Sequence, residues 1–170
     1  NWKKDSSTFD SIVSNKEKLI FFIETTNGMS IGGFVKRKIM MSIIGTSRKT
    51  TDEDCFLFTN RNIQWKKYSI QPSKKYDSFQ LSTKQDNYLF IFGNDEIVVN
   101  KTNSLQTINL IKKENVMYDY RGIESPFDGV SMNKNKIIVI HFDKEDKENS
   151  LKKENEINKT SQKEESIKIT

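Results

Sequence analysis

The stretch Lys18 to Val35, Lys-Leu-Ile-Phe-Phe-Ile-Glu-Thr-Thr-Asn-Gly-Met-Ser-Ile-Gly-Gly-Phe-Val, constrains the fold more than any other part of this chain. Two apolar runs flank Asn27-Gly28. Asn-Gly is a strong hairpin signal, because a type I′ turn needs positive φ at both central residues and these two tolerate it. On the first run Leu19, Phe21 and Ile23 alternate with Ile20 and Phe22; on the second Ile31 and Val35 alternate with Phe34. Both faces are apolar, so the hairpin is expected at the centre of a sheet and covered on both sides. Gly32-Gly33 interrupts the second run. Glycine inside a strand weakens it and marks a bulge or a close approach of other chain. A phosphate-binding loop is excluded at this pair, because a strand residue, Phe34, follows where a helix would have to start.

Other segments fit around this hairpin. Residues 6 to 16 read as a short helix: Ser7 and Asp10 resemble a capping box, and Phe9, Ile12 and Val13 share one face. Core packing accounts for that stripe, with Trp2 upstream stapling the chain start to the same core. Gly45-Thr46-Ser47 opens a polar loop that ends in Thr51-Asp52-Glu53-Asp54. Cys55 to Phe58 is a compact strand stopped by Asn60-Arg61-Asn62. Ile63 to Ile70 alternates weakly around Trp65 and Tyr68 until Pro72, and Tyr76 to Ser82 is a short strand. Tyr88 to Val99 is a second hairpin, turning at Gly93-Asn94-Asp95. Leu105 to Ile111 is a further strand, 119 to 131 a long loop with one helical turn at Glu124 to Phe127, and Lys136 to Phe142 the last strand. About eight short strands behind a leading helix predict a mainly β domain, a two-layer antiparallel β-sandwich flanked by short helices.

Composition sets the boundaries. Residues 1–143 hold the core. Residues 144–170 contain seven Lys, seven Asp or Glu and only four sizeable apolar residues, at no helical period. Such a tail cannot offset its ordering entropy and is expected to be disordered or a solvated helix. It is charge-balanced, so the net charge of +5 belongs to the first 143 residues. The single cysteine excludes an intramolecular disulfide and a cysteine-based metal site. No apolar run reaches the roughly 18 residues of a membrane-spanning helix. No secretory leader is visible, so an intracellular setting, cytoplasmic or nuclear, is expected, and Asn100-Lys101-Thr102 and Asn158-Lys159-Thr160 read as chance glycosylation matches. The chain starts at Asn rather than Met, which points to a piece of a longer protein.

No catalytic constellation is visible. His141 is the only histidine and has no Cys or Ser partner in a motif. Cys55 is a candidate redox thiol, but a sensor needs exposure and nearby cations, whereas Asp52-Glu53-Asp54 precedes it and a core strand follows. The three acids lack the alternating ligand spacing of a calcium loop and read as solvated. No cofactor or metal is expected. The basic clusters carry more weight. Lys36-Arg37-Lys38, Lys66-Lys67, Lys74-Lys75 and Lys112-Lys113 are interleaved with Trp65, Tyr68 and Tyr76. On one sandwich face they would pair phosphate contacts with aromatic stacking, so a nucleic-acid-binding regulator is one functional reading, DNA-binding if regulatory. The bland alternative is solvated lysines scattered over a Lys-rich chain, and no signature of a specific nucleic-acid reader is present.

A further set of residues resembles the TLDc domain family: Trp2, Phe9, the run Lys16 to Ile23, Asn27-Gly28, Ile31-Gly32-Gly33-Phe34, and Asp54-Cys55-Phe56-Leu57-Phe58. Gly28, Gly32, Gly33 and Phe34 are its best markers. Phe92-Gly93-Asn94-Asp95 stands at the family's glycine turn and Ile140-His141-Phe142 near its closing motif, so the likeness spans residues 2–143. The resemblance implies a β-sandwich flanked by helices and a non-enzymatic module working through protein contacts. It further implies roles in oxidative-stress resistance and binding to the vacuolar-type proton ATPase, with no catalytic residues to assign.

Overall fold

The computed structural model describes residues 8–40, 47–62, 64–82, 86–101, 104–106, 116–121 and 131–142. The expectations for Trp2, Ser7, Lys112-Lys113, the 122–130 loop and the 144–170 tail lie outside them. Among the described residues the chain is mainly β, with two antiparallel sheets and only short helices, a β-sandwich. A short helix α1 (Phe9–Val13) leads into β1 (Leu19–Thr25), β2 (Ser30–Val35), β3 (Arg48–Thr50), β4 (Phe56–Asn62) and β5 (Gln64–Ser69). A 3₁₀ turn (Pro72–Asp77) precedes β6 (Phe79–Leu81), β7 (Tyr88–Phe92), β8 (Ile97–Asn100), β9 (Ser104–Gln106) and β10 (Ser131–His141).

The strand order is β3-β6-β7-β8-β9-β10-β1-β2-β4-β5. One sheet is β10-β1-β2-β4-β5. The other runs from β3 to β9 and ends on the start of β10, where Ser131 to Asn133 pair with Gln106 to Ser104. Further along β10, residues from Lys134 to His141 pair with Thr25 to Leu19 of β1, so one strand serves both sheets. It is therefore longer than the expected Lys136 to Phe142. β3 lies in what sequence reads as polar loop, paired to β6 from Arg48↔Leu81 to Thr50↔Phe79.

The core lies between the sheets. The alternation in β1 sends Leu19, Phe21 and Ile23 inward, and all three are fully buried. Phe21 meets Phe79 and Phe90 of the facing sheet with ring centroids at 4.9 Å, and Phe92 edge-on at 5.7 Å. Such aromatic pairs contribute roughly 0.5–1.5 kcal/mol each beyond area burial. α1 closes one end of this layer: Phe9 stacks on Phe90 at 5.4 Å and Val13 is buried. Ile12 departs from the expected stripe; it is 52% exposed, because a helix of five residues turns only two of its apolar side chains inward.

Two glycine expectations are refined. The Asn27-Gly28 hairpin exists, but only Gly28 has positive φ, +78°. Gly28 N–H donates to Thr25 O and Thr25 N–H to Met29 O, a three-residue loop with its left-handed residue last, so type I′ is replaced by a turn plus G1 bulge. Gly33 faces inward, where an added Cβ would lie 2.6 Å from the Phe92 ring; on Gly32 it would run into the Phe21 carbonyl oxygen. Close approach, and not ligand binding, explains the pair.

Candidate functional site

β1 is central, yet only one of its faces is covered by the opposite sheet. The register places the second apolar set in two rows across the outer face of β10-β1-β2-β4-β5. One row reads Ile140, Ile20, Phe34, Phe56; the next reads Ile138, Phe22, Gly32, Phe58. Trp65, two residues before Lys67 on β5, closes the second row, with its ring 5.9 Å from Phe58 and 6.0 Å from Phe22. Phe34 and Phe56 are 5.1 Å apart, and Phe22 and Phe58 6.2 Å. The absence of a side chain at Gly32 leaves room for the Phe58 ring, whose tip would be 2.7 Å from a Cβ there.

The hairpin is expected to be covered on both sides; among the described residues no element packs over this outer face. The outer set is half-buried by its own lateral packing and opens to solvent at Trp65 (58% exposed) and Ile140 (44%). Contiguous exposed apolar patches, as opposed to scattered single side chains, mark contact surfaces in proteins. Its margins are charged. Lys36, just past β2, pairs with Asp54 at 2.7 Å; this hydrogen bond lifts the Lys36 pKa and lowers that of Asp54. At the other end Glu24 and Lys136 stand opposite each other in register. Lys67 lies on the band itself, its Nζ 4.1 Å from the centroid of Phe56, a cation–π contact.

Among the described residues, the basic and aromatic side chains singled out by sequence do not share a face. Trp65 and Lys67 belong to the outer band. Tyr68 points into the core and is 4% exposed, which removes it from any surface patch; its pKa is raised by burial. Lys66 is one residue out of phase with Lys67 on β5. Lys36 and Lys75 gather instead around the acidic loop, where Lys75 reaches Glu53 at 3.1 Å and Lys36 takes Asp54. Arg37 joins them through its backbone, and Lys38 follows, exposed. Lys74 sits in the 3₁₀ turn, where Tyr76 is exposed. Most of these cations are dispersed or locally neutralised, so they form no single phosphate cradle.

The acidic loop is not wholly solvated either. Asp52 is fully buried. Its Oδ2 accepts the amides of Lys36 (2.6 Å) and Arg37 (3.0 Å), and Oδ1 accepts that of Asp54 (3.0 Å). It ties the exit of β2 to the entry of β4.

Cys55 is unsuited to redox sensing. It is 1% exposed, and burial, chiefly, pushes its thiol far above the ordinary value, with Asp52 and Glu96 adding to the rise. The Tyr118 hydroxyl lies 3.1 Å from Sγ and donates to Ser78 O at 2.8 Å. Next to this cluster sits Glu96, which sequence gave no reason to single out and which is 3% exposed. Its Oε1 accepts the amides of Met117 and Tyr118, while Oε2 has no well-aligned partner among the described residues. Burial raises its pKa to about 7, opposed by those amides. These groups fasten the 116–121 segment to the sandwich and are closed to solvent.

Compared with known proteins, the chain matches no family model and no curated sequence.

Proposed function

We propose that this chain is a non-catalytic protein-interaction module that docks through the aromatic band on the outer face of its first sheet. The observation that carries this reading is the pair of apolar rows from Ile140 to Trp65, ordered by strand register and open at Trp65 and Ile140. Side chains that pack on one another while remaining open at the margin form a surface a partner can cover with little loss of side-chain entropy. The likeness to the TLDc family supplies the biological setting of the proposal, oxidative-stress response or regulation of the vacuolar-type proton ATPase, in the cytoplasm or nucleus.

The test is affinity capture from native extract with the full chain, its Trp65→Glu variant and a Lys74→Glu control. A partner retained by the wild type and the control and lost with Trp65→Glu supports the module. Identical recovery by all three removes the band as the functional surface. Nucleic acid recovered in place of protein, released steeply by salt, would turn the reading to the nucleic-acid alternative.

A further inference from the structure

We infer that the band receives an amphipathic α-helix from a partner protein, lying across the strands, with an acidic flank set beside Lys67. This rests on the reading of the chain as a protein-contact module and names the shape and charge of what it contacts. The two rows cross five strands, from Ile138 and Ile140 on β10 to Trp65 and Lys67 on β5. At about 4.8 Å between strands that is a track of about 19 Å. Rows two residues apart are about 7 Å from each other. A helix rises 1.5 Å per residue and is about 10 Å wide, so about 13 residues, or three and a half turns, match the track in length and breadth. Its stripe at i, i+3, i+4 and i+7 supplies the apolar surface the rows lack.

The geometry disfavours an added strand. β5 is the edge strand of this sheet, but near its C-terminal end its backbone is already engaged: Asp119 N–H donates to Ser69 O and Gln71 N–H to Met117 O. Lys66 and Lys67 guard the remainder, as charged residues do on natural edges. Charge sets the orientation. Lys36 is held by Asp54 at the margin, whereas Lys67, on the band itself, makes no salt bridge among the described residues and stands over the Phe56 ring. A carboxylate on the helix flank nearest β5 would supply its counter-ion in a partly desolvated setting.

The experiment titrates the full chain, as wild type, Trp65→Glu and Lys67→Glu, against three labelled 18-residue peptides followed by fluorescence anisotropy. One carries leucine at helical spacing with glutamates on one flank, the second has lysines in place of the glutamates, and the third has the first composition interrupted by proline. The inference expects the glutamate-flanked helix to bind at least about fivefold tighter than the lysine-flanked one, the scale of one well-placed ion pair. The proline-interrupted peptide should bind at least about tenfold weaker than the intact helix, since proline lacks the backbone N–H and clashes with the preceding turn, which breaks the helix. Trp65→Glu should abolish binding, and Lys67→Glu should reverse the flank preference. Equal binding of the helical and interrupted peptides, or an unreversed preference in Lys67→Glu, overturns it. So does a concentration-dependent dimer in sedimentation that Trp65→Glu dissolves, because the occupant would then be a second copy. If none of the peptides binds while Trp65-dependent capture from extract persists, the helix falls and the module stands.

Discussion

Glu96 makes the stability of this protein depend on pH in a direction opposite to that of most carboxylates. Its side chain is 3% exposed and its carboxyl pKa is lifted from an ordinary value near 4.5 to about 7, by burial above all. Among the described residues the titratable groups that act on this cluster are Cys55, Tyr118, Tyr120 and Asp52, none of them a cation. Because the folded pKa exceeds the unfolded one, the native state holds a proton that the unfolded state releases between these values. The associated stabilisation is complete below about pH 4.5 and is lost as pH rises through 7. A shift of that size corresponds to about 3 kcal/mol at about 1.4 kcal/mol per unit. Urea unfolding of the full chain and of Glu96→Gln, at pH 5 and pH 8.5, isolates the effect. Glutamine is neutral, has nearly the same shape and still offers an oxygen to the Met117 and Tyr118 amides. Other titrating groups cancel in the double difference. The wild type should lose about 2–3 kcal/mol more than the variant between the two conditions. A double difference under about 1 kcal/mol would refute the reasoning and mean that water reaches the carboxylate.

Three other outcomes are expected. Gly33→Val places a branched side chain against the Phe92 ring, itself packed by Phe21, Phe79 and Phe90, and should cost roughly 1–3 kcal/mol in chemical denaturation. Asp52→Ala leaves the amides of Lys36, Arg37 and Asp54 without their acceptor in a buried setting and should cost about 2–4 kcal/mol, whereas Glu53→Ala should be nearly neutral. Cys55 should react with a thiol reagent at pH 8 at least about a hundredfold more slowly in the folded chain than in urea, since burial both hides the sulfur and disfavours thiolate; comparable rates would count against its packing.

Much of the sandwich could be read from local pattern. Period-two alternation found β1, β2 and the β7–β8 hairpin, and Gly33 announced the close approach that Phe92 makes. What escaped depends on partners far along the chain. Nothing in Asp52-Glu53-Asp54 signals that the amides of residues 36 and 37 will arrive at Asp52. Arg48 to Thr50 is too short and polar to read as a strand; its pairing with β6 makes it one. Ile20, Phe22 and Phe34 are visible as a second apolar face, and local pattern reads such a face as covered; how far it is covered depends on the rest of the fold. Trp65 and Tyr68 carried a usable signal. Three residues apart on a strand, they must point to opposite sides, which separates the exposed ring from the buried one.

β10 has a consequence for the order in which the molecule can be assembled. The strand that stitches the two sheets together is made from residues 131–141, and its main neighbour β1 begins at residue 19. A nascent chain emerging from the ribosome therefore holds the aromatic hairpin of β1 and β2 with one flank open until more than a hundred further residues have been synthesised. Neither sheet can close in the meantime. Pairings that span so much chain are slow to form, since loop closure precedes the contacts that reward it. Throughout that interval the edge of β1 and the phenylalanines destined for the core remain available to chaperones or to wrong partners, and the arrival of β10 ends the exposure.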